Sequence, residues 1–280
     1  MSVAIITDSA AALPVNLAAR SNITVVPMWL TVQGVPEPEG ARSLDELVAQ
    51  PQVTTSAPTP GEFERAIKER AGTDGVVVLT IASSMSATYQ AAVVAAQAVG
   101  GPVRVVDTQA AGGAEALVVL AAAEAARRGA SLEEVEARAR AVIARVRLVA
   151  SVGTLDHLVR SGRVPAVAGW AGRRLGINPL FEFRAGLVRR LRPALSRDAA
   201  LDRIVALVHR SRGQAAQVRG ARLHVAALHA LAPATAVELL DRVSAVEHPT
   251  TAFVGEFGPV MVVHTGPDLA GLAWWWEEVL

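Results

Sequence analysis

Hydroxyl side chains gather in this chain where a carboxylate or phosphate could be held. The stretches are Thr7-Asp8-Ser9, Thr54-Thr55-Ser56, Ser83-Ser84-Met85-Ser86 with Thr88 and Tyr89 just after, and Asp107-Thr108. Each hydroxyl can donate to an anionic oxygen. Ser, Thr and Asp are also the preferred helix N-caps, so any one of them is explained by capping alone. Three serines in Ser83–Ser86 exceed what one cap requires, and so does the Thr-Thr-Ser-Ala-Pro run. Arg163, in Ser161-Gly162-Arg163, and His264, before Thr265-Gly266-Pro267, could complete an anion site from the second half of the chain. Taken singly, Arg163 reads as a solvated turn residue and His264 as a packed strand-end residue.

Much other chemistry is excluded. The chain has no Cys, so disulfides, thiolate metal sites and thiol nucleophiles do not arise. There is no G-x-G-x-x-G, no Walker A loop, no G-x-S-x-G and no H-E-x-x-H, and the only lysine, Lys68, falls in a charged helix. His224 and His229 are five positions apart on one expected strand, which turns them to opposite faces and argues against a metal pair. With 27 basic and 26 acidic residues the net charge is +1, too small for a general nucleic-acid binder. The apolar stretch at 114–126 is cut by Glu115 and Glu124 and falls short of the ~18 residues of a membrane span. The first ten residues lack a basic n-region. The expectation is a cytoplasmic protein with no metal and no cofactor, and with at most transient membrane contact.

The elements that must carry these side chains alternate in the first half. Short β-rich runs at 3–6, 23–26, 28–32, 75–81 and 103–106 are interleaved with helical segments at 60–70, 87–98, 112–127 and 132–147. Capping boxes open helices at Thr59-Pro60-Gly61-Glu62 and Ser131-Leu132-Glu133-Glu134. Strands alternating with helices imply βαβ units, and the run 75–81, apolar but for Thr80, implies a strand buried on both faces. In such a sheet ligands bind beyond the carboxyl ends of the strands, which is where the hydroxyls lie. The second half reads as a strand at 148–152, a hairpin around Arg184-Ala185-Gly186, helices at 199–210 and 234–246, and strands at 223–228, 251–254, 260–264 and 272–276. The expected fold class is α/β: an N-terminal three-layer domain (1–150) with a mostly parallel sheet, plus a C-terminal α+β domain (151–280) with a mixed sheet.

In this order the pieces resemble the DegV family. Ile6-Thr7-Asp8-Ser9 with Leu13-Pro14 is similar to its opening signature, Thr54-Thr55-Ser56-Ala57-Pro58 with Gly61-Glu62-Phe63 to its second motif, and Ser83 to Gln90 to its serine-rich third. Val105-Val106-Asp107-Thr108, Ser161-Gly162-Arg163, Asn178-Pro179 and His264-Thr265-Gly266-Pro267 match later blocks, so the likeness spans nearly the whole chain. It implies a non-catalytic protein that binds one long-chain fatty acid in an apolar tunnel, carboxylate at the interdomain cleft. For FakB-type members it also implies a partner, a fatty acid kinase that makes the acyl-phosphate feeding phospholipid synthesis. The ligand-binding set it implies here is Thr55, Ser56, Ser83, Ser86, Arg163 and His264, with the choice between Ser83 and Ser86 for the direct contact left open. Departures from the family pattern are Ala87 for a usual Gly, Asn178 for Lys, Asp268 for Gly, and Glu115 at the start of a helix that lines the tunnel in the family.

Three other readings compete. Ser86, His264 and Asp107 could form a hydrolase triad acting on acyl esters, though no nucleophile elbow is present. A phosphoryl-transfer subunit would need a phosphate loop that the sequence lacks. A protein-interaction module with a vestigial cavity is the third.

Overall fold

The computed structural model describes residues 2–48, 50, 53–70, 72–163, 177–215 and 220–278. In chain order the elements are β1 (Ala4–Asp8), α1 (Val15–Arg20), β2 (Ile23–Val26), β3 (Trp29–Val32), β4 (Val35–Pro38), α2 (Leu44–Val48), β5 (Val53–Ser56), α3 (Pro60–Lys68), β6 (Val76–Thr80), α4 (Thr88–Val99), β7 (Val103–Asp107), α5 (Gly113–Arg127), α6 (Leu132–Ile143), β8 (Arg147–Ser151) and α7 (Asp156–Ser161). There follow β9 (Asn178–Arg184), β10 (Leu187–Ala194), α8 (Arg197–Ala215), β11 (Arg222–His229), α9 (Pro233–Ser244), β12 (Thr251–Glu256), α10 (Pro259–Thr265) and β13 (Ala270–Glu277).

The first sheet is parallel, in the order β2-β1-β6-β7. Its inner strand β6 is buried at every position, as the apolar run Val76–Leu79 requires, and Thr80 at its end is buried with it. Phe63, Ile67, Ala92 and Ala95 of α3 and α4 cover one face, and α5 with α6 covers the other. This is the expected three-layer arrangement. The second sheet is mixed, in the order β10-β9-β8-β13-β11-β12, with β11 and β12 its one parallel pair. Helices α8 and α9 close its outer face over Leu201, Ile204, Leu239 and Trp274. The expected boundary at 150 falls within β8, whose partners β9 and β13 both follow it in sequence.

Helix α5 joins the two halves. It packs on β1 and β6 on one side and on β8, β11 and β13 on the other. Its first eleven residues except Leu120 are buried, which explains an Ala-rich helix with little amphipathic pattern. Small residues let it approach: a Cβ on Gly113 would sit 2.8 Å from the Ala226 Cβ. Among the described residues no helix is long and apolar enough to cross a membrane.

A third, antiparallel sheet, β4-β3-β5, was not expected as a unit. The run 260–264, expected as a strand, is instead part of α10. Valines at 260, 262 and 263 mimic a strand, but Pro259 takes the first helical position and a distant carboxylate holds the next amide.

Candidate functional site

The loops after β1, β6 and β7 meet at the carboxyl edge of the parallel sheet, and each acidic residue there has a structural task. Asp8 is fully buried and accepts from the Ala10 and Ile81 amides at 3.0 and 2.9 Å. Burial raises its pKa from 3.8 to about 7, against the pull of those amides. Glu115, at 0% exposure, accepts from Thr7 Oγ1 at 3.3 Å. Burial first, and then the Asp8 charge, hold it well above its ordinary value. Asp107 accepts from the Ser83 amide and hydroxyl and from the Gln109 amide at 2.8 Å.

Between this edge and β8–β10 lies a cavity of about 260 Å³. Ile81 and Met85 come from the serine loop, Leu148 from β8, Phe181 and Phe183 from β9, and Val260 from α10. Antiparallel register sets Val188 opposite Phe183, so β10 extends the same apolar wall. Among the described residues the polar lining is Thr55, Ser56, Ser86, Ser161, Arg163, His264 and Thr265.

Five of the six expected site residues therefore line one space, contributed by four separate segments. Thr55 is on β5, where alternation turns it inward between exposed Thr54 and Ser56. Its Oγ1 lies 2.7 Å from His264 Nε2. Burial, then the charge of Arg163, lower the His264 pKa from 6.5 to about 4, so the ring is neutral at pH 7. Ser86 Oγ lies 2.8 Å from Thr88 Oγ1 and accepts the Thr88 amide at 3.4 Å, so it also begins α4, whose N-terminus opens on the cavity through Ser86 and Ala87. Arg163 is exposed at the rim, its Nη1 donating to the Ser161 carbonyl at 2.8 Å. Ser83 is the exception. It is exposed, does not line the cavity, and is held by Asp107. Of the two serines left open by the sequence, Ser86 is the one that faces the cavity.

No hydrogen bond joins Ser86, His264 and Asp107: Ser86 is engaged with Thr88, His264 with Thr55 and Asp107 with Ser83. The hydrolase triad thus lacks its relay. Among the described residues no cluster of potential metal ligands occurs.

Two residues that position the site carry no signal in sequence. Glu39, just past β4, accepts from the Val260 amide at 2.8 Å and from the Ser9 hydroxyl, and Ser9 in turn accepts from the Met28 amide. This clamp fixes the start of α10, the helix that carries His264. At its other end Gly266 (φ +78°) packs against His157, whose ring a Cβ would meet at 2.5 Å. Glu39 carries no local signal because its partners Ser9 and Val260 lie far away in sequence.

The family model described as "Uncharacterised protein, DegV family" matches residues 2–277. A DegV domain-containing protein of Streptomyces coelicolor is 35% identical over 278 residues, 96% of this chain and 97% of that one. A protein of Thermotoga maritima named fatty acid-binding protein is 30% identical over 284 residues, 97% of this chain and 96% of that one. Among solved structures, a DegV family protein from Thermus thermophilus, described for its fatty acid binding, superposes with a TM-score of 0.88 at 30% identity, covering 98% of this chain and 99% of that one.

Proposed function

The chain belongs to the DegV family, and from that premise we propose that it holds one long-chain fatty acid, its tail in the apolar cavity and its carboxylate at Thr55, Ser86 and His264. The observation that carries this reading is the composition of the cavity lining: β8–β10 present Leu148, Phe181, Phe183 and Val188, while the polar side chains include Ser86, Arg163 and the directly touching pair Thr55 and His264. Fatty acid binding by related proteins of the family supports it.

The energetics divide the roles. Burying ~15 methylenes at ~0.8 kcal/mol each gives roughly 12 kcal/mol, offset by several kcal/mol for chain ordering and lost translation. A charge-assisted hydrogen bond contributes only ~1.5–3 kcal/mol. The tail therefore supplies affinity and the head group sets orientation. Because His264 is neutral, Arg163 supplies the compensating charge. Held this way at the rim, the carboxylate can be presented to a fatty acid kinase in the cytoplasm, and the protein acts as a carrier and not as a catalyst. The two-unit division near residue 150, with the ligand between the units, is part of the same reading.

Native mass spectrometry of the protein from cells, before and after organic extraction, tests it, with the adduct of one fatty acid expected. Delipidated protein at one hundred times the ligand's Kd should gain ~2.7 kcal/mol, roughly 5–10 °C in Tm. No shift with any acid from laurate to arachidate would overturn the reading.

A further inference from the structure

His157 stands where two short helices meet, and those helices hold Arg163 and His264. It does not line the cavity itself. Helix α7 ends at Ser161, and Gly162, at φ +65°, turns the chain so that Arg163 follows at once. The Ser161 hydroxyl accepts from the Arg163 amide at 3.2 Å and donates to the Leu158 carbonyl at 2.7 Å. Arg163 is therefore tied to the end of α7. His264 belongs to the last turn of α10, and α7 packs on α10.

The half-buried His157 ring gives that contact a defined geometry. It lies against Gly266, in space that a Cβ would deny it. It is also hydrogen-bonded to the backbone of Val263, the residue just before His264. The last carbonyls of a helix lack partners within it, so a ring N–H there meets an open acceptor. On the side of α7, Arg160 Nη2 lies 3.3 Å from His157 Nδ1. A guanidinium only donates, so Nδ1 accepts and the ring proton sits on Nε2. Burial, then the charge of Arg160, lower the His157 pKa from 6.5, in keeping with this neutral tautomer.

We propose that His157 is a positioning residue, whose ring bridges α7 and α10 through hydrogen bonds and so sets the spacing of Arg163 and His264 about the ligand carboxylate. This role rests on the fatty-acid reading above, and it gives the site a residue that never touches the ligand. Arg163 and His264 act together only when both reach the same carboxylate. Hydrogen bonds weaken steeply with misalignment, so a slip of about 1 Å between the two helices loses one of the contacts.

Displacement of a fluorescent fatty acid from the delipidated full chain, by palmitate and by methyl palmitate, tests this. The ester has the same tail and no charge for Arg163 to meet. His157→Phe keeps a ring against Gly266 and removes both hydrogen bonds. It should weaken palmitate about tenfold and leave methyl palmitate within about twofold. His157→Gln, whose amide can still donate to the Val263 carbonyl, should recover most of the loss. A change that merely loosened the fold would weaken both ligands alike. Equal weakening of acid and ester, palmitate affinity untouched by His157→Phe, or His157→Gln no better than His157→Phe each overturns the bridge and leaves the fatty-acid reading standing. A wild-type chain that does not bind palmitate overturns that reading, and the bridge with it.

Discussion

Glu115→Gln should change how stability depends on pH, and the structure fixes the sign. Burial keeps Asp8 protonated to about 7 instead of 3.8 and holds Glu115 well above its ordinary 4.5. In the unfolded chain both titrate near 4. From about pH 5 to about pH 7 the folded chain thus keeps the Asp8 proton that the unfolded chain has lost, at ~1.4 kcal/mol per pH unit, and Glu115, shifted the same way, steepens the fall in stability as pH rises. For Asp8 alone the full step is about 4 kcal/mol, complete once pH passes 7. The amide at 115 can still accept from Thr7 and has no charge to set against ionised Asp8. The variant should match the wild type near pH 4 and gain on it as pH rises above about 5, until Glu115 ionises in the fold. Urea unfolding of lipid-free protein at several pH values, both chains in the same buffers, measures this difference directly. A difference that stays constant with pH would refute the reasoning, because Glu115 would then ionise in the fold as it does in water.

The two serines should separate cleanly: Ser86→Ala weakens palmitate binding by ~1.5–3 kcal/mol, whereas Ser83→Ala leaves affinity alone and costs stability by about 1 kcal/mol through its lost bond to Asp107. The reverse pattern in calorimetry and denaturant unfolding would reassign the contact. Glu39→Ala should cost ~1–3 kcal/mol in stability and also loosen palmitate binding, since it frees the start of α10; intact affinity would show that the clamp does not position His264. Because the folded His264 pKa is about 4 against 6.5 unfolded, its contribution to stability is present above about pH 6.5 and lost as pH falls toward 4. His264→Gln should flatten that acid limb, as measured by Tm against pH.

The parts of the fold that could be read in sequence are those whose signal is local. The run at 75–81 is apolar but for Thr80 because β6 has a neighbour on each side and helices on both faces. The Thr59 and Ser131 capping boxes mark the starts of α3 and α6. Helix α10 reads as a strand because β-branched valines suggest one, while the groups that make it helical are Pro259 and a carboxylate 221 residues away. The site was legible as a set of hydroxyls but not as a geometry. Ser83 and Ser86 are the same residue type on the same loop, and only Asp107, from the neighbouring strand, separates their roles. Likewise Asp107 and His264 looked like triad partners for Ser86 until the structure gave each of them another partner.

The claim at the centre of this account is that the cavity holds an acyl chain with its carboxylate at the hydroxyl end. A crystal structure of the delipidated protein complexed with palmitate tests it most directly. The account predicts one chain running along Phe181 and Phe183, with a carboxylate oxygen within hydrogen-bonding distance, ~2.5–3.2 Å, of both Thr55 Oγ1 and Ser86 Oγ. A palmitate bound on any other surface, or lying in the cavity with its carboxylate away from Thr55 and Ser86, would contradict it.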